Sequence, residues 1–245
     1  MTDIMKLTPQ SSSASGMAIG GGNYRQSSIT VDGAAFNNAF GLGSSPLPGC
    51  GTPISLDALD QMTISITPYD VRQSGFTGGG INAVTKSGTN EFKGSLYTYI
   101  TSTSLKGNRV ANTVFAVDDG HNDTYGLTFG GPIIKDKLFF FVNGEYEDSV
   151  TTGPNALAGD GSTPYTTTNR RPQLEQLESL SDYMQKTYGL TTGPWQGYNV
   201  KTPAYRILAR VDWNINDNHK FNIRFTKSNR KSSSAASASR NSPDS

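Results

Sequence analysis

The chain has 245 residues and a net charge of +1, with only 17% of its residues charged and 10% aromatic. That near-neutral balance gives no global electrostatic basis for gripping nucleic acid, and a single cysteine, Cys50, excludes an internal disulfide or a multi-cysteine metal site. No run approaches the roughly 20 apolar residues of a membrane helix, which leaves open a span made of strands, since each of those needs only about ten residues of alternating character.

Residues 1–28 are rich in Ser and Gly, lack periodicity, and read as loop or disordered chain. Met1 to Gln10 has no basic stretch followed by an apolar one, so no secretory signal is predicted. Ile29 to Val31 is a short β-branched segment closed by the turn pair Asp32-Gly33. A loop runs on through Gly49, and Ser55 then suits the N-cap of a short helix containing Leu56, Ala58 and Leu59. Gln61 to Thr67 alternates as a strand with Met62, Ile64 and Ile66 on one face; after glycine-dense Ser74 to Gly80 comes the strand Ile81 to Lys86. This first third reads as a small mixed α/β unit.

After Gly88 the pattern changes to strands at 92–102, 124–134, 138–148, 204–215 and 220–228. In the second, Tyr125, Leu127 and Phe129 oppose Thr124, Gly126 and Thr128; in the third, Leu138, Phe140, Val142 and Tyr146 oppose Asn143, Glu145 and Glu147. The fourth sets Tyr205, Ile207, Ala209, Val211, Trp213 and Ile215 against Arg206, Arg210, Asp212 and Asn214. The fifth sets Phe221, Ile223 and Phe225 against Asn222, Arg224 and Thr226. Lys135–Lys137 and Asn216–His219 are tight turns, whereas 103–123 and 149–203 are long loops. Short turns at one end and long loops at the other are the layout of a transmembrane barrel. The longer loop carries Leu174, Leu177, Leu180 and Met184 at helical spacing, with Pro172 suited to the first turn and Gly189 to the stop. Tyr125, Phe139, Phe140, Tyr146, Trp213 and Phe221 lie near strand ends, where a barrel places its interfacial aromatics and a soluble sandwich its core.

Other chemistry finds little support. Gly20–Gly22 and Gly78–Gly80 lack the spacing of phosphate-binding loops and read as turn glycines. Asp118, Asp119, Asn122 and Asp123 lack the spaced carboxylates and closing Glu of a calcium loop, so a solvated loop is expected. His121 and His219, each placed in a turn or loop, are too few for a His-rich metal site, and no Ser, His and acid grouping has local motif support. No enzyme, cofactor or metal is therefore expected. The basic residues Arg224, Lys227, Arg230, Lys231 and Arg240 have few interleaved aromatics, which disfavours a nucleic-acid tail; all but Arg224 are expected beyond the fifth strand.

The segments Ile29–Gly33, Phe36–Leu42, Pro53–Asp60, Pro68–Gln73 and Gly75–Phe92 resemble the plug, and the plug-to-barrel passage, of TonB-dependent outer-membrane receptors of the Oar-like branch. Gly130–Tyr146 and Asp212–Phe221 resemble the first two periplasmic turns with their flanking strands, and the blocks fall in family order over about residues 29–228. The resemblance implies a mainly β fold: a partial transmembrane antiparallel β-barrel of about five strands, preceded by part of a small α/β plug. Residues 1–28 would be disordered or a partial plug segment and 29–90 the C-terminal part of the plug. Residues 91–230 would be the first barrel strands with extracellular loops 103–123 and 149–203, and 231–245 a loop or disordered tail.

Such receptors have a signal peptide, a TonB box and roughly 22 strands, so the chain is expected to be an internal piece. Five strands leave two edges that cannot face lipid unpaired, so no pore is expected from this chain alone. The implied partners are outer-membrane lipid, the TonB complex for the full-length parent, and an unidentified extracellular ligand such as a peptide or oligosaccharide. The implied site residues are Gly78, Gly79, Gly80, Asn82, Thr85 and Lys86 in the plug-to-barrel passage. Glu145, Arg206, Arg210, Asp212 and Arg224 would face the lumen, where charged hydrogen bonds could hold the plug. The competing class is a soluble or surface-attached β-rich binding or adhesion module without transport activity.

Overall fold

The computed structural model describes residues 7–12, 18–20, 23–37, 47, 52–66, 79–107, 109–111, 113–114, 120–152, 158–159, 172–193 and 198–231. The chain divides into two compact units, the first comprising residues 1–99, 123–147 and 203–231, the second 100–122, 148–202 and 232–245.

The first unit opens with a two-residue ladder between β1 (Ser11–Ser12) and β2 (Ala18–Ile19). Next come β3 (Ser28–Val31), β4 (Ala34–Ala35), β5 (Leu59–Ser65) and β6 (Gly80–Thr85), arranged β4-β3-β6-β5. Asp32 and Gly33 take φ of +48° and +79°, the left-handed pair that a two-residue hairpin requires, and the chain returns as β4 with Val31 opposite Ala34. β6 lies parallel to β3, with Ile29 beside Ile81, and antiparallel to β5, with Met62 beside Ala83. Alternation sends Ile29, Val31, Ile81 and Ala83 to one side, where they are buried with Ile19, Leu47, Ile54 and Ala58. Met62, Ile64 and Ile66 pack against that cluster, as the alternation predicts. The expected short helix is a single 3-10 turn, Leu56–Ala58, whose N-cap Ser55 accepts a hydrogen bond from the Asp57 amide at 3.3 Å. Leu59 is not part of it; its extended backbone opens β5.

The longer strands are β7 (Lys93–Ser102), β10 (His121–Ile134), β11 (Leu138–Thr152), β13 (Ala204–Asn216) and β14 (His219–Arg230). They lie in the order β14-β13-β11-β10-β7. The registers run from Leu138 opposite Trp213 to Glu147 opposite Ala204, and from Trp213 opposite Phe221 to Ala204 opposite Arg230. Strands of 10 to 15 residues exceed the usual five or six. Tilted by about 40°, they match an apolar membrane band about 25 Å tall.

Side-chain exposure in this sheet is inverted relative to a soluble protein. Tyr125, Leu127, Phe129, Tyr146, Ile207, Trp213, Phe221, Ile223 and Phe225 are all exposed, whereas charged Arg206 on the opposite face is 6% exposed. A soluble sandwich would bury the apolar rows, so they are the lipid-facing side of a membrane wall. Phe139 and Phe140 are only half-buried. β7 and β14 each have one unpaired edge among the described strands, and the sheet does not close.

The second unit holds a helical turn, α1 (Thr103–Lys106), the hairpin β8 (Arg109–Val110) and β9 (Thr113–Val114), helix α2 (Leu174–Tyr188) and β12 (Asn199–Lys201). The Thr103 amide and hydroxyl both reach the Gly120 carbonyl. β12 pairs with the far end of β11, with Val150 opposite Lys201. Both long loops are therefore shorter than the sequence suggests, because β10 begins at His121 and β11 continues to Thr152. Similarly, Lys227 and Arg230 belong to β14 rather than to a following loop. In α2, Gln173 is the N-cap: its amide donates to Gln176 Oε1 at 3.2 Å, and the Gln176 amide donates to the Gln173 carbonyl at 3.1 Å. Pro172 precedes that cap instead of occupying the first turn. Gly189, at φ +65°, ends the helix, and the Gly189 and Leu190 amides close on the Gln185 and Met184 carbonyls.

Candidate functional site: the clasp between the small sheet and the wall

Two polar clusters join the small sheet to the inward face of β11, β13 and β14 within the first unit. The first centres on Asp32. Its carboxylate accepts from the Thr85 amide and hydroxyl, each at 2.8 Å, from Arg224 Nη1 at 2.5 Å and from Arg210 Nη1 at 3.3 Å. Arg210 also grips Asp212, two residues on along the same face, at 2.8–3.0 Å, and donates to the Thr85 carbonyl at 2.8 Å. Arg210 and Arg224 stand directly opposite one another across the β13–β14 ladder. Like charges in that relation repel, and Asp212 from the wall with Asp32 from the small sheet balances them.

Arg206 organises the second cluster. It bonds Glu145 at 2.5 Å, Glu147, and the main-chain carbonyl of Thr52. Ser55 Oγ donates to Glu145 at 2.6 Å, and Tyr97 OH donates to the same oxygen at 3.0 Å. Asn143 Nδ2 supports Tyr97 OH at 3.2 Å and also reaches the Leu127 carbonyl. Tyr97 fits because position 126 is glycine: a Cβ there would collide with its ring. Arg206 is thus a buried cation with two carboxylates and a carbonyl around it, the full hydrogen-bonding that a buried charge needs. Between the clusters, Phe141 and Leu208 project from the wall and complete the apolar core formed by Ile29, Val31, Ile81 and Ala83.

Of the passage residues expected from sequence, Gly78 lies outside the described residues. Gly79 lies tight against Ile19, where a Cβ would come within 2.5 Å of its side chain. Gly80 opens β6. Asn82 accepts from the Thr30 hydroxyl at 2.9 Å, within the small sheet; Thr85 bonds Arg210 of the wall; and the Lys86 amide bonds the Ala58 carbonyl at 2.9 Å. Glu145, Arg206, Arg210, Asp212 and Arg224 share one face and touch the small sheet directly or through one another. Sequence reasoning missed the partners on the other side. In the sequence a turn already explains Asp32 and a helix cap explains Ser55, while Thr52 acts through its backbone, which no side-chain pattern reveals.

Elsewhere, His121 stands at the start of β10, 3.9 Å from Asp148, rather than in a loop. His219 begins β14. Asn122 and Asp123 lie within β10, and Asp118 and Asp119 are outside the described residues.

A wall of long antiparallel strands, apolar outside and polar on the side clasped to a small mixed-strand sheet, is the inside-out arrangement of an outer-membrane β-barrel wall. Residues 84–244 match the family model of the outer membrane beta barrel domain, and the chain belongs to that family. Over 134 residues it is 38% identical to the TonB-dependent transporter Oar of Myxococcus xanthus; the match covers 52% of this chain and 12% of that one. The chain therefore spans a small part of that relative's length. Its fold is similar to that of the siderophore receptor PirA from Acinetobacter baumannii, with a TM-score of 0.53, 20% identity, and 87% of this chain and 25% of that one covered. It is also similar to the ferric enterobactin receptor PfeA from Pseudomonas aeruginosa, with a TM-score of 0.56, 15% identity, and 87% and 26% covered. The setting is the outer membrane of a Gram-negative bacterium.

Proposed function

We propose that the chain is part of a TonB-dependent receptor that takes up a peptide, an oligosaccharide or a similar ligand across the outer membrane with energy from the TonB complex. Residues 29–90 supply the C-terminal part of the plug, with Gly78, Gly79, Gly80, Asn82, Thr85 and Lys86 leading into the barrel. Residues 91–230 supply wall, with ligand-facing extracellular loops within 103–123 and 149–203, and 231–245 continues beyond β14. Glu145, Arg206, Arg210, Asp212 and Arg224 face the lumen and hold the plug. The observation that carries this reading is the clasp, which ties the small sheet to the wall by hydrogen bonds and ion pairs that can open and re-form.

The test uses cells carrying or lacking the full-length parent, given a panel of fluorescent oligopeptides and oligosaccharides. Uptake of one class should need the parent and should stop, with surface binding intact, when a protonophore is added or TonB is deleted. Uptake indifferent to both treatments would sink the proposal. For the clasp, replacing Arg206 and Arg210 together by Ala in the parent should loosen the plug and raise open-channel events in planar bilayers; unchanged plug retention would remove these residues from that role.

A further inference from the structure

Between Thr85 and Asn90 the backbone changes partners. Through Lys86 it belongs to the small sheet, since Thr85 pairs with Leu59 and the Lys86 amide bonds the Ala58 carbonyl. From Gly88 onward it belongs to the wall. A Cβ on Gly88 would lie 2.8 Å from the Gly131 carbonyl and 2.9 Å from the Phe140 amide nitrogen, so the chain lies flat on β10 and β11 with no room for a side chain. Asn90 completes the attachment at the turn joining those strands. Its Nδ2 donates to Asp136 at 2.6 Å, and the Asp136 amide donates back to its Oδ1 at 2.9 Å. Asn214 Nδ2 reaches the Asp136 carbonyl at 3.4 Å, tying β13 to the same turn. Ser87, between the two attachments, is exposed and makes no hydrogen bond with another described residue.

The contacts that would have to break on separation are distributed to the same effect. If the small sheet leaves, Arg206 keeps Glu145 and Glu147, and Arg210 keeps Asp212. Asp32 keeps the Thr85 amide and hydroxyl. Buried charges are costly to part when one is left bare; here Arg224 alone is left with no described acceptor, while Asp32 loses both arginines but keeps its two bonds from Thr85.

We propose that Ser87 is the hinge about which the small sheet turns away from the wall, while Gly88 to Asn90 stay fastened to the turn at Asp136. This rests on the receptor reading above, and the joint transmits pulling on the plug no further than Lys86.

Hydrogen–deuterium exchange on the purified full-length parent in detergent tests it, without ligand or energy source. The outcome is therefore independent of whether the parent transports. In an Arg210→Ala/Arg224→Ala variant, amides of 28–35 and 80–86 should exchange about ten-fold faster or more, while those of Thr89–Phe92 keep the parental rate. Asn90→Ala should do the reverse, speeding Thr89–Phe92 and leaving the small sheet unchanged. Faster exchange across both segments in either variant overturns the hinge, as does no change at 28–35 in the first. Should the double variant fail to fold, unaltered parent in urea below its unfolding midpoint gives the same reading: opening must stop at Lys86, and simultaneous loss of protection through Phe92 refutes the assignment.

Discussion

Arg206 and Asp32 show two ways in which one side chain can hold two parts of a protein together. Arg206 is 6% exposed and satisfies two carboxylates. Truncating it strands Glu145 and Glu147 without their cation, so Arg206→Ala should destabilise the parent by about 3–5 kcal/mol. The measurement is the urea midpoint in detergent, and adding Glu145→Gln and Glu147→Gln should recover most of the loss. Asp32 combines a charge with a left-handed backbone, and two substitutions separate the roles. Asp32→Asn removes the ion pairs but tolerates φ of +48°, whereas Asp32→Ala adds strain of about 1 kcal/mol. Bilayer recordings should show both variants loosening the plug, with Ala the less stable in urea. Neither role beyond the turn was legible in the sequence. Asp32 and Arg210 are 178 residues apart, and an Asp-Gly pair is already explained by the hairpin it makes.

Individual elements were far more legible, because period-2 alternation and cap residues are local. The five long strands, the turn at Asp32-Gly33 and the helix ending at Gly189 stand where the pattern puts them, whereas β4 falls in what reads as loop. The alternation alone ends β11 at Asp148, a charged residue on the apolar row, whereas the strand runs on to Thr152 by pairing with β12. Phe141 and Leu208 were overlooked because the inward face of a membrane barrel is taken to be polar, whereas here it meets the apolar core of the small sheet. The outward rows yield a prediction about depth. Phe225 stands opposite Ala209, midway between Trp213 and Tyr205, and Lys227 stands opposite Ile207. Phe225→Lys should cost about 2–4 kcal/mol on folding into lipid vesicles, whereas a lysine at 227 is already tolerated near the rim. Equal costs at 225 and at an outward rim position such as Asn229 would contradict the assigned face and depth.

For the molecule as a whole, the edges of β7 and β14, unpaired among the described strands, set the limit. Unpaired backbone donors and acceptors are not stable against lipid, because each unsatisfied group costs several kcal/mol there. Residues 1–245 on their own should therefore release no dye from loaded vesicles, while the full-length parent with its plug removed should. Release by the short chain would mean that its edges find partners in another copy. The clasp has one more consequence, arising from what Arg206 and Arg210 hold. Both grip main-chain carbonyls, of Thr52 and Thr85, and every amino acid supplies a carbonyl. Mutational drift at position 52 leaves its handhold in place, whereas the carboxylate at 32 has no such substitute. A plug borrowed from a cousin should seat at the first point whatever its residue there, and should slip at the second unless it too brings an acid.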